Sequence, residues 1–341
     1  MDKLLDSVNS PADIKGLSIE QLRQLCAEIR EYMVDCCSRN PGHLGASLGA
    51  VELIVGVHYV FDTPSDKLVF DVGHQAYAHK IITGRREAFA RARTKGGISG
   101  FPKMSESPYD AFGAGHASTS ISAALGFAEA AKLRGTNERA IAFIGDGALT
   151  GGLAMEGLNN AGNSGSDLLI ILNDNNMSIS ENVGGTASVL QTMRARPGYI
   201  NFKRWYRDVF SRLPALYRFN HKIKEWLKAR LLPDNMFSEM GLYYLGPVDG
   251  HDVVRLETAI RYARDVRVPV LLHVLTKKGK GCEYTEKDPE KYHGVSAFDV
   301  QTGELPAPGA CFSSVFGDTL CMLASEDDRV VGITEIGRGV V

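Results

Sequence analysis

Two short polar turns carry the chemistry most legible in this chain. Gly145-Asp146-Gly147 follows the apolar run AIAFI, and Asn173-Asp174-Asn175 follows the apolar run LLIIL, with Asp146 and Asn175 29 positions apart (175 − 146). Taken alone, a Gly-Asp-Gly is also an ordinary tight turn. Paired with an Asn-rich turn after a second buried strand, it has the makings of a site for a divalent cation and a diphosphate. Mg²⁺ asks for six oxygens in near-octahedral geometry and is held by one or two carboxylates together with phosphate oxygens. Asp146 brings charge, Asn175 a neutral oxygen, and a backbone carbonyl, a water and two phosphate oxygens complete the set. Glycines let the backbone come close to the phosphates, and the following helix offers its first N–H groups.

The elements that must position these turns follow from hydrophobic patterning. Ser18 to about Arg39 reads as an amphipathic helix: Ser18 and Gln21 have capping-box spacing, Leu22, Leu25, Cys26, Ile29 and Met33 form one apolar stripe, and Asn40-Pro41-Gly42 ends it. Short apolar segments then end in glycine-rich or polar turns: Leu68–Phe70 before DVGHQ, Ala140–Ile144 before GDG, Leu168–Leu172 before NDN, and Val268–Val274 before TKKGKG. Helical patterns separate them at Ser118–Leu133 and Leu153–Ala161. This alternation predicts an α/β fold, a parallel sheet with helices on both faces, whose ligands bind at the carboxyl ends of the strands. Near the end, Gln301–Ala310 reads as a linker, Ser313–Ser325 as a helix and Arg329–Thr334 as a strand.

The resemblance that these turns carry is specific. DVGHQAYAHK (71–80), GAGHASTSISAALG (113–126), GDGALTGGLAMEGLNNAG (145–162), LNDNNMSISENVGG (172–185), GPVDGHD (246–252), TKKGKG (276–281) and EKDPEKYHGVSAFD (286–299) are similar in order and spacing to 1-deoxy-D-xylulose-5-phosphate synthases, from about residue 10 to 335. The resemblance implies a thiamine-diphosphate-binding fold, with a diphosphate-binding domain over 1–300, a helical insertion at about 186–240, a linker at 301–310 and the truncated start of a pyrimidine-binding domain at 311–341. It implies Asp146, Asn175 and the Met177 carbonyl as Mg²⁺ ligands. Contacts to thiamine diphosphate would come from His74, Gly115, His116, Ala117, Gly147, Ala148, Asn175 and the position of Cys282. His43 and His293 would face the reacting carbons as catalytic residues, with Lys278 near the same mouth. Two departures stand out: Cys282 occupies a place where the family usually has Tyr, and Ala78 one where it has Pro.

The implied reaction condenses pyruvate with glyceraldehyde 3-phosphate and releases CO₂, on the way to isoprenoid precursors and thiamine. It needs a Glu that the family carries in the pyrimidine-binding domain, and Glu335 lacks a matching context. The resemblance thus implies an enzyme half completed by a partner chain or a homodimer. The alternatives are a non-catalytic truncated synthase and the amino-terminal half of a transketolase.

Composition sets the remaining bounds. In 341 residues, 44% are hydrophobic and 23% charged, with a net charge of −2. That is ordinary for a soluble protein and gives the whole chain no reason to seek nucleic acid or anionic membrane. No apolar run of 18 residues and no signal-peptide pattern at the start are seen, so the expectation is a cytoplasmic protein. Eleven basic residues lie between Arg194 and Arg230 against Asp208 and Glu225; an RNA-binding arm is one reading, and a solvated helical insertion or lid over the site is preferred. The six cysteines have no CxxC spacing and read as reduced, mostly packing residues.

Overall fold

A computed structural model describes residues 3–177, 184–194, 235–306, 309 and 311–332. Helix α1 (Ile19–Arg39) starts where the capping box places it: the Ser18 hydroxyl accepts from Gln21 N at 3.2 Å and the Gln21 side chain accepts from Ser18 N at 2.8 Å. Its expected stripe, Leu22 through Met33, is buried. Two shorter helices follow, α2 (Leu44–Gly49) and α3 (Val51–Val60). Strands β1 (Lys67–Phe70), β2 (Ala140–Gly145), β3 (Leu168–Asp174), β4 (Tyr243–Asp249) and β5 (Val270–Leu275) form one sheet in the order β1-β2-β3-β5-β4, parallel throughout.

The strand side chains alternate between two cores, as a period of two requires. Phe70, Ile141, Phe143, Ile171 and Leu272 face one core, built with α1, α3 and α7 (Val253–Asp265). Val69, Ala142, Ile144, Ile170 and Leu271 face the other, built with α4 (Ser120–Arg134) and α5 (Gly152–Ser164). Both faces of the sheet are therefore covered, and the parallel sheet with helices on both faces is observed.

Strand β4 was not among the expected segments. Gly246-Pro247 interrupts it, and the ladder to β5 shifts register between Leu245 and Val248. A proline is tolerated there because β4 is an edge strand. Of the helical insertion expected at 186–240, α6 (Gly185–Arg194) is helical, as is the turn Met236–Glu239; 195–234, and with them most of the basic stretch, lie outside the described residues.

The tail corrects one expectation. Helix α8 (Phe312–Glu326) forms as read, but Arg329–Gly332 carries no strand, and 333–334 lie outside the described residues. A strand needs a neighbour for its N–H and C=O groups, and none stands beside this segment among the described residues. Helix α8 itself buries none of its side chains, and Phe312, Val315 and Phe316 are exposed. The cysteines are all free, as expected, and Cys26, Cys36, Cys37 and Cys282 are buried, while Cys311 and Cys321 are exposed and do not pack.

Candidate active site

The polar turns gather at the carboxyl edge of the sheet. Gly145 of β2 is paired with Asn173 of β3, so Asp146 and Asn175 leave adjacent strands, whose spacing is about 4.8 Å. Asp146 is 1% exposed and opens the helical turn Asp146–Leu149. The Asn175 side-chain oxygen accepts from Met177 N at 3.0 Å, which folds the end of β3 into a tight turn. No group of three or more His, Cys, Asp or Glu among the described residues is placed to hold a metal. A cation at Asp146 would take its other ligands from amide and carbonyl oxygens and from the diphosphate itself.

The loop at 113–118 is tied to both neighbours. The Asp71 carboxylate, just past β1, accepts from Ser118 N at 2.7 Å and Ser120 N at 2.9 Å and so caps α4. The Ser118 hydroxyl donates to the Ala148 carbonyl at 2.7 Å. Gly115, His116 and Ala117 are thereby presented to solvent beside Gly147 and Ala148. The turn before His74 is held at a conformational cost: Val72 has φ 57°, unusual for a β-branched residue, and Gly73 has φ 96°. Gln75 anchors it to β3, its side-chain oxygen accepting from Asn173 Nδ2 at 3.2 Å.

His43 and His293 arrive from opposite ends of the chain. His43 N, ahead of α2, donates to the Tyr77 hydroxyl at 2.9 Å. Gly42 and Val295 exchange backbone hydrogen bonds of 2.9 and 2.8 Å, and Gly45 N donates to the Tyr292 carbonyl at 2.9 Å. The close fit needs glycine at 49, where a Cβ would stand 2.8 Å from the Lys277 carbonyl oxygen. The result is a three-histidine cluster: ring centroids of His43, His74 and His293 are 5.5–5.7 Å apart pairwise.

All three rings are neutral near pH 7. Burial, helped by the Arg93 guanidinium, pushes His43 down to about 4. Burial, then the charge of Lys278, pushes His293 down to about 4. Burial holds His74 well below its ordinary value, and the two neighbouring histidines add to this. Arg93 Nη1 lies 2.9 Å from His43 Nδ1. A guanidinium can only donate, so Nδ1 accepts and the His43 proton sits on Nε2. Nδ1 of His74 and Nδ1 of His293 are buried with no hydrogen-bond partner among the described residues; a buried polar atom left so is costly unless a ligand satisfies it.

The structure thus brings Asp146, Asn175, Met177, the 115–117 turn, Gly147, Ala148 and His74 to one sheet edge, with His43 and His293 beside His74. Cys282 has a different setting, buried next to Tyr284 and Tyr292. Two site residues escaped the sequence reading: Arg93, and Phe101, whose ring is 5.7 Å from that of His43. Both belong to an irregular loop with no periodicity to flag them; the glycines of KGGISG are the one local hint. A cavity of about 460 Å³ lies at the other end of the sheet, lined by Asp66, Arg139 and Arg264 among others. Its arginines are largely engaged, as in the pair Arg139–Asp167, and it lies away from every turn described above.

Comparison with known proteins agrees with this architecture. Residues 5–276 match the family model described as 1-deoxy-D-xylulose-5-phosphate synthase. The chain is 47% identical over 338 residues to a 1-deoxy-D-xylulose-5-phosphate synthase of Desulfitobacterium hafniense (strain Y51), covering 97% of this chain and 53% of the relative. It is 47% identical over 345 residues to that of Cellvibrio japonicus (strain Ueda107), covering 99% and 54%. The chain spans about half the length of the curated relatives it matches. Among solved structures, a transketolase from Campylobacter jejuni is similar with TM-score 0.60 at 20% identity, covering 85% of this chain and 45% of that one. A transketolase from Leishmania mexicana gives 0.57 at 16%, covering 90% and 48%. At such identities the likeness speaks for the fold alone.

Proposed function

This chain belongs to the 1-deoxy-D-xylulose-5-phosphate synthase family, and on that premise we propose that it holds thiamine diphosphate and Mg²⁺ for the condensation of pyruvate with glyceraldehyde 3-phosphate, with release of CO₂. The observation that carries the reading is the meeting, at one sheet edge, of the adjacent turns of Asp146 and Asn175 with a cluster of three neutral histidines. Family membership argues against the alternative of a transketolase half.

In this reading Asp146 meets the cation with its carboxylate, and Asn175 and the Met177 carbonyl add neutral oxygens. The exposed 115–117 turn, Gly147 and Ala148 face the diphosphate with backbone N–H groups, and the unpartnered His74 Nδ1 supports a polar contact to the cofactor. When bound, the cofactor would supply the electron sink that a decarboxylation needs. His43 presents an Nε2–H donor toward substrate oxygens. His293, likewise neutral, has a free ring nitrogen to receive or return a proton there. Cys282, buried beside Tyr284 and Tyr292, we propose as a cofactor neighbour that offers no aromatic face of its own.

The domain reading is proposed as stated: a diphosphate-binding domain over 1–300, with α8 opening the pyrimidine-binding region. No glutamate among the described residues is proposed as the activating carboxyl, and Glu335 lies outside them. We therefore propose activity for the assembly of this chain with the pyrimidine-binding region of its relatives, as a homodimer or with a partner chain, in the cytoplasm and without nucleic acid or membrane. No described helix is long and apolar enough to cross a membrane.

Isothermal titration tests the reading. Thiamine diphosphate should bind with Mg²⁺ present, lose binding on chelation, and bind Asp146→Ala more than about tenfold more weakly. Equal binding by both proteins, or indifference to chelator, refutes the site. The catalytic part is tested by adding a pyrimidine-binding region in trans and following pyruvate decarboxylation coupled to glyceraldehyde 3-phosphate. Cofactor binding with no turnover in that mixture would favour a non-catalytic product.

A further inference from the structure

Behind the wall of the histidine cluster lies a polar network that the functions above leave unused. The wall is the segment 98–110, made of turns and bends with no helix or strand. It nevertheless sits tightly on the site. The Phe101 ring is 5.7 Å from His43, and Arg93 stacks its guanidinium 5.7 Å from the Phe101 centroid while donating to His43. A Cβ on Gly73, one residue before His74, would stand 2.6 Å from Pro102 Cδ and 3.2 Å from Phe101 Cβ.

A segment without a backbone ladder needs other partners for its N–H groups. Two carboxylates of the same segment supply them. Glu106 Oε1 accepts from Ser99 N at 2.7 Å, and Asp110 Oδ2 accepts from Lys103 N at 2.7 Å. These two donors bracket Phe101 and Pro102.

Each carboxylate is in turn fixed to the scaffold. Lys80 Nζ, fully buried, donates to Glu106 Oε2 at 2.9 Å. Arg85 grips Asp110 with two bonds, 2.7 and 2.9 Å, and His79 Nε2 donates to Asp110 Oδ1 at 2.9 Å. Beyond it, His79 Nδ1 is 2.8 Å from His58 Nε2, and His58 Nδ1 is 2.8 Å from the Thr63 hydroxyl. The donors run in one direction: Thr63 to His58, His58 to His79, His79 to Asp110, with both rings neutral. Burial keeps both rings below their ordinary values, and the bonds from His79 and Arg85 hold Asp110 ionised. Two cations face two anions, so the buried cluster is balanced in charge.

We propose that Asp110 and Glu106 are positioning residues for His43: they clamp Ser99 and Lys103 to the buried His79, Lys80 and Arg85, and so hold Phe101 and Arg93 against the His43 ring. The chemistry of His43 rests on the reading above, but its placement does not, and the test addresses placement alone.

The full chain is examined by hydrogen–deuterium exchange over 98–110 and by NMR of ¹⁵N-histidine-labelled protein, with His43→Gln to assign the His43 ring. Loss of a charge-assisted bond from the part-buried Ser99 and Lys103 amides should speed exchange at the wall by about tenfold or more in Asp110→Asn and in Glu106→Gln, leave β2 and β3 at wild-type rates, and move the His43 ring signals. Glu106 is the less buried carboxylate, so Glu106→Gln alone carries the test if Asp110→Asn fails to fold. Unchanged exchange over 98–110 overturns the proposal. So does exchange rising equally across the sheet, which marks a merely structural network, or a loosened wall with His43 signals at their wild-type positions.

Discussion

Acidification should weaken this fold in a way that can be traced to one imidazole. His43 titrates in the native state at about 4 against an ordinary 6.5. The native state therefore resists a proton that the unfolded chain accepts. For a cationic group whose folded pKa is depressed, stability is intact above the unfolded value and is lost as pH falls from 6.5 toward 4. At about 1.4 kcal/mol for each tenfold change in proton affinity, the full loss is about 3 kcal/mol. The ring keeps part of its surface toward solvent, and screening trims this to about 2 kcal/mol. Urea unfolding of wild type and His43→Gln at intervals from pH 7 to 4.5 measures it as a difference, which cancels the titration of groups common to both. Wild type should lose about 1 kcal/mol more than the variant for each pH step of one between 6 and 5. Parallel stability curves would mean that His43 is solvated and titrates normally, and the argument for a neutral cluster would fall with it.

Other substitutions probe separate parts of the design. His273 Nε2 lies 2.7 Å from Asp174 Oδ2 with both side chains fully buried; His273→Ala should cost about 1–3 kcal/mol in urea unfolding by removing one hydrogen bond from a buried carboxylate that Asn176 N also serves, and stability equal to wild type would contradict this. Gly49→Ala places a methyl 2.8 Å from the Lys277 carbonyl and should cost about 1–3 kcal/mol through overpacking, with a melting temperature equal to wild type as the refuting result. His293→Ala should leave thiamine diphosphate affinity by titration within about threefold of wild type while lowering turnover of the complemented enzyme by about 10²–10⁴-fold; abolished cofactor binding would assign the residue to the cofactor instead.

The site was legible where it is local. Asp146, Asn175 and His74 sit in turns that directly follow apolar strands, and a parallel sheet sends such turns to one edge whatever the rest of the chain does. The pairing of His43 with His293 was legible only through family resemblance, because nothing in the spacing of residues so far apart announces the Gly42–Val295 bridge. Arg93, Phe101 and Asp110 were silent for a different reason: an irregular loop held by carboxylates has neither a period of two nor of 3.6. In the fold, β4 was hidden by Gly246-Pro247, acceptable only because the strand lies on an edge, and edge status is a tertiary fact. The opposite error at Arg329–Gly332 has the same root. An apolar run has strand character in sequence, but it becomes a strand only beside another.

The sheet order has a consequence for synthesis on the ribosome. Strand β3 lies between β2 and β5, and its second neighbour is encoded nearly a hundred residues later. From the moment Asp174 clears the exit tunnel until Leu275 does, β3 offers a bare edge, apolar from Leu168 to Leu172, of the kind that recruits other nascent chains. At about 5–20 residues per second that exposure lasts on the order of ten seconds. The His43 pocket closes later still, when Val295 reaches Gly42. A cell making this chain must shield a growing sheet for that interval, and slow translation between β3 and β5 would lengthen the danger rather than relieve it.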